Sequence, residues 1–122
     1  MTNSILSSTK KILGIAPEYE AFDLMIMTHI NSVFSTLEQI GVGPVGGFMI
    51  EDATAEWGAL LGTDNRLNQV KSYVYLRVRL LFDPPATSFA INSLQEQAKE
   101  MEWRLQVTTD PIIVTVPEDL EL

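Results

Sequence analysis

The stretch YVYLRVRLLFDPP, residues 73–85, decides the fold, and on its own it reads two ways. Its valines and tyrosines favour a strand. Extended upstream, the helical period takes over: Leu67, Val70, Val74, Val78 and Leu81 recur at helical spacing and form one apolar stripe. A helix is therefore predicted over 65–82. Tyr73, Leu76 and Leu80 form a second stripe, more than about a third of a turn from the first. A helix facing one small core needs a single stripe. The second must be covered by other helices of the chain or by another subunit. Arg66 and Arg77 stand between the stripes on one side, Lys71, Tyr75 and Arg79 on the other. The helix halts at Asp83-Pro84-Pro85, because each proline disfavours helical backbone at the residue before it. This turn is predicted to be rigid and extended, and to act as a hinge point between helices.

Beyond the turn, Thr87 or Ser88 can cap a helix that ends near Leu105. Its stripe is Ile91, Leu94, Ala98, Met101 and Leu105, with Phe89 and Trp103 together on a different side. From about Gln106 the helical period stops. Ile112, Ile113, Val114, Thr115 and Val116 form a β-branched run between Pro111 and Pro117, followed by Glu118, Asp119 and Glu121. An extended acidic arm with one short strand is expected. The strand either packs on its own domain or adds to a partner's strand, and the second is preferred because an unpaired run of this kind invites aggregation.

Upstream, residues 4–15 read as a short helix stopped by Gly14. A second helix is predicted from Pro17 to about Ile40, with Glu18, Glu20 and Asp23 at its positive end. Its core stripe is Phe22, Ile26, Ile30, Val33, Leu37 and Ile40; Leu24, Met25, Met27 and Phe34 fall outside it. GVGPVGGF (41–48) is a loop, and residues 51–61 read as a short helix capped by Asp52 or Thr54. The fold class expected is mainly α: a small bundle of about four helices with a short extra helix and an extended C-terminal arm. Residues 1–107 form the helical domain and 108–122 the arm.

Composition narrows the function. A chain of 122 residues with 46% hydrophobic content suits one folded domain. With no cysteine and one histidine, disulfides, thiolate catalysis, cysteine-based zinc sites and a His-rich metal site are excluded within one chain. The net charge of −8 argues against binding nucleic acid through the overall field. Residues 1–82 carry a net −2 and residues 83–122 a net −6, so the C-terminal third supplies most of the acidity. No secretory signal is evident, and the longest uncharged run, Leu24–Leu37, is shorter than the ~20 residues of a membrane span. A soluble protein made in a cytoplasm is expected.

The search for chemistry finds little. His29 is the only side chain that ordinarily titrates near neutrality, and no nucleophile motif accompanies it. A histidine at a packing boundary is the simpler account. The acid pairs Glu51/Asp52, Glu96/Glu100 and Glu118/Asp119 read as solvated faces, not as carboxylates opposed across a cleft. The glycines of 41–47 fit no phosphate-loop spacing. Arg66, Lys71, Arg77 and Arg79 share no single face, so a phosphate-binding patch is disfavoured. No catalytic residue, metal or cofactor is expected.

In combination and order, HINSVFSTLEQIGVGP, FMIEDATAEW, VKSYVYLRVRLLFDPP and LQEQAKEMEWRL resemble the head–tail connector family of tailed bacteriophages over roughly residues 12–107. The resemblance implies a structural virion protein in the neck. It implies a self-assembled ring of about twelve copies, docked onto the portal protein. Such a ring extends the DNA channel, with DNA passing without specific binding, and offers a face to a stopper or tail-completion protein. No catalytic residue is carried over. Each subunit of a closed ring uses two different surfaces. Tyr73, Leu76, Arg77, Arg79, Leu80, Phe89, Glu96, Glu100 and Trp103 are then the expected subunit or portal contacts, with Arg77 or Arg79 paired to Glu96 or Glu100 of the next copy. The arm strand Ile112–Val116 is expected to dock on the portal or a neighbour. The alternative is a small helical regulatory or anti-host protein acting through protein binding.

Overall fold

A computed structural model of the chain describes residues 4–44, 46–62 and 66–109. Five helices run in order: α1 (Ile5–Ile12), α2 (Asp23–Gln39), α3 (Trp57–Leu61), α4 (Leu67–Phe82) and α5 (Ser88–Thr109). The mainly α class holds, and 73–82 is helical. The helix extends past residue 107, and the strand expected over Ile112–Val116 lies outside the described residues.

The two apolar sides of α4 now have their explanation. α4 is the central helix, with α2 packed on one side and α5 on another. Val70, Val74 and Val78 are fully buried, and the α2 residues Ile26, Ile30, Val33 and Leu37 share their core cluster. Leu76 and Leu80 line the grooves beside α5. The second stripe is therefore covered first by the chain's own last helix. Two assignments change. Tyr73 is wholly buried, which removes it from any surface contact, and Leu81 is 44% exposed instead of core.

The ends of α1 and α2 are built alike. After α1, Gly14 N–H donates to Lys11 O and Ile15 N–H to Lys10 O; after α2, Gly41 N–H donates to Glu38 O and Val42 N–H to Leu37 O. These paired bonds satisfy the last carbonyls and need a left-handed residue, supplied by Gly14 (φ 82°) and Gly41 (φ 88°).

Three local expectations fail for identifiable reasons. Residues 17–22 form turns, and α2 starts only at Asp23. The buried ammonium of Lys10 donates to Pro17 O (2.9 Å) and Tyr19 O (2.8 Å), which ties residues 17–19 back onto α1. α3 starts at Trp57 because the chain before it is extended: Ser4 and Glu56 form an antiparallel bridge, and Ile5 N–H donates to Ala55 O. Asp52 and Thr54 do not cap α3. Asp52 instead accepts from the Thr54 hydroxyl and backbone N–H, which hold its carboxyl below the ordinary range. Phe34 is buried because the segment after α2 folds back over it. Phe48 packs edge-on to Phe34 at 5.5 Å, and Asn31 clamps Ile50 by donating to its carbonyl and accepting from its N–H. Trp57 closes the other end of the core, donating its indole N–H to Ser8 Oγ at 2.9 Å.

Candidate functional site

α5 is where the chain has most surface to offer. The Asp83-Pro84-Pro85 turn reverses the chain, and Thr87 Oγ1 caps α5 by accepting from Ala90 N–H at 3.1 Å. The helix is 22 residues long, about 33 Å at 1.5 Å per residue. Among its described side chains only Ala98 and Leu105 are buried, and its extensive contact is with α4. Shallow grooves run along both sides of that contact. One is lined by Leu80, Leu81, Ile91 and Ala98, the other by Ile12, Leu76, Arg79, Leu94 and Met101.

One polar cluster fixes α5 in register on α4. Tyr73 Oη donates to Glu102 Oε2 at 2.5 Å. Arg77 Nη1 reaches the same carboxylate oxygen at 2.7 Å and the Tyr73 oxygen at 3.0 Å. Burial pushes the Tyr73 hydroxyl well above its ordinary range, and the hydrogen bond to Glu102 adds to this; Arg77 opposes it without prevailing. Tyr73 therefore stays protonated and acts as a donor. The sign for stability follows. A folded pKa above the unfolded one gives stabilisation that is complete below pH ~10 and lost as pH rises beyond it. Tyr73→Phe is expected to lower stability by about 1.5 kcal/mol, the scale of a hydrogen bond to a charged group. It is also expected to flatten the decline above pH ~10. Chemical denaturation of both proteins across pH 8–11 checks this.

Within its own chain Arg77 is engaged by Glu102. Glu102 is the residue that sequence reasoning missed, although its i+4 relation to Ala98 places it beside the inner stripe. Glu100 pairs with Arg104 at 2.6 Å and Glu96 with Lys99 at 3.7 Å, each along α5. Arg79 is exposed and donates through Nε to Asp83 O at 3.3 Å.

The face of α5 turned away from α4 is a different surface. Phe89 is 84% exposed, Trp103 63% and Val107 43%. At 3.6 residues per turn these share one side with Glu96 and Glu100. Phe89 and Trp103 were expected together on the basis of spacing, and they are; Val107 was not singled out. A Phe and a Trp side chain each carry on the order of 150–250 Å² of surface that could be covered. Nothing here resembles a reaction centre. Among the described residues no group of acidic and histidine side chains could hold a metal ion, and His29 is half-buried with its ring 6.4 Å from that of Phe82. No described helix is long and apolar enough to cross a membrane.

Comparison with known proteins decides the family. The family model described as phage connector protein matches residues 5–111, from the first residue of α1 to just past α5. The chain belongs to the phage connector protein family. No curated protein and no solved structure matches it. The family match supports a head–tail connector role in a phage, and the family is a structural one. The bundle built around α4, with its bare outer helix, lies within the matched span.

Proposed function

We propose that this connector assembles as a ring of about twelve copies beneath the portal. The ring extends the channel through which DNA passes and presents a platform to a stopper or tail-completion protein. The observation that carries this is the family match over the whole described bundle. The exposed α5 face supports it. In a closed ring each subunit meets its two neighbours through two different surfaces, and the Phe89–Trp103–Val107 side is a helical face with large apolar side chains left uncovered. Leu76, Leu80 and Arg79, at the grooves beside α5, are the proposed acceptors on the adjoining copy, and Glu96 and Glu100 border the apolar face. The net charge of −8 suits a channel wall that DNA slides past without adhering. The arm with Ile112–Val116 is proposed to dock on the portal or the next subunit. Phage unable to make this chain are expected to accumulate tail-less heads, restored by supplying it in trans. Tailed, infectious particles formed without it would overturn the proposal.

A further inference from the structure

A second surface lies at the start of α2. Tyr19, Phe22, Phe82 and His29 form a continuous row of edge-on rings, with centroids 5.7, 5.4 and 6.4 Å apart in turn. Tyr19 is 51% exposed, Phe22 39% and Met25, one turn on from Phe22, 51%. Tyr19 and Phe22 lie in the 17–22 turns, His29 on α2 and Phe82 at the end of α4. The turn is tethered to α1 by Lys10, whose side chain is buried and donates to Pro17 O and Tyr19 O while pairing with Asp23 at 2.8 Å. Buried ion pairs contribute little net stability, but they fix one arrangement. The Lys10 contacts thus fix the turn that carries Tyr19 and leads to Phe22.

We infer that this surface receives a cationic, apolar segment of another protein of the particle. Glu18 and Glu20 flank Tyr19 in the chain, both are exposed, and neither forms an ion pair in the structure. Carboxylates beside aromatic faces attract Lys and Arg side chains, which gain both charge pairing and cation–π contact. The same acids repel phosphate, which disfavours nucleic acid. A second copy offers few free cations, Lys11 and Arg79 being the exposed ones without an ion pair among the described residues. Lys10, Arg77, Lys99 and Arg104 are already paired within the chain, and Lys71 lies over the Trp57 ring. This inference deepens the connector reading by giving the chemistry of one partner.

The test places the photo-reactive analogue p-benzoyl-phenylalanine at Tyr19 in the full chain, with and without Glu18→Lys and Glu20→Lys. Cross-links are mapped by peptide mass spectrometry in purified particles, where copies of the chain are counted from the same digest. The expected result is a link to one segment of a different virion protein, rich in Lys or Arg and apolar residues. Charge reversal is expected to cut its yield at least tenfold, since like charges then face each other across the interface. Links only to this chain, to an acidic segment or to nothing, or a yield indifferent to charge reversal, would overturn it. A chain absent from particles would be a failure of the connector reading instead. The links would then be read in infected cells, where the same outcomes decide.

Discussion

Lys10→Met is expected to lower the melting temperature by about 10 °C, corresponding to about 3 kcal/mol for a domain of this size. The side chain is 2% exposed, and its ammonium has three oxygen partners: Pro17 O, Tyr19 O and Asp23 Oδ1. Methionine keeps the length and the packing but leaves all three oxygens without a donor. Removing one member of a buried pair ordinarily costs about 3–5 kcal/mol. The lower end applies because the Asp23 side chain is 24% exposed and water can reach it. The double variant Lys10→Met with Asp23→Asn should recover part of the loss, since the unpaired charge is then gone. Circular-dichroism melts of the single and double variants check both statements. A single variant within ~2 °C of the parent would show that the ammonium does not hold the 15–22 turn.

The second large effect concerns assembly, not stability. Phe89→Glu combined with Trp103→Glu is expected to leave the folded chain intact, because both side chains stand in solvent and touch little of their own core. Surface changes of this kind ordinarily shift stability by about 0.5 kcal/mol or less. Incorporation into particles is expected to fall at least tenfold. Aromatic residues at the centre of an interface commonly contribute about 2 kcal/mol or more each, and the introduced carboxylates would join Glu96 and Glu100 in a face that must be desolvated. The measurement supplies parent or variant chain in trans and counts copies per portal protein. Unchanged incorporation with an unchanged melt would mean that ring contacts lie elsewhere on the subunit.

How much of this was legible in the sequence depends on where each signal resides. The two stripes of the 65–82 helix were readable from spacing alone, and they correctly announced two packing partners. Spacing could not say that the second partner is α5 of the same chain, because that depends on how the Asp83-Pro84-Pro85 turn folds the hairpin back. Tyr73 was placed on a surface for this reason, and it is buried. The Phe89–Trp103 side was found because helical geometry fixes it once the helix is known. Lys10 was not. A lysine in the last turn of a short helix looks like a solvated end charge, and only the tertiary course of residues 15–23 wraps carbonyls around it. The predicted helix start at Pro17 failed through the same contact. Phe34 falls outside the α2 stripe by helical spacing, and the return of the following segment over it, held by the Asn31 clamp to Ile50, carries no periodic signal that would announce its burial.

The central claim, a symmetric ring at the head–tail junction, is tested most directly by stoichiometry in purified virions. Peptide mass spectrometry with isotope-labelled standards would count this chain against the portal protein. A ratio of about one to one is expected for a ring matched to the portal. Absence of the chain from virions would contradict the claim outright, and the uncovered face of α5 would then require a partner outside the particle.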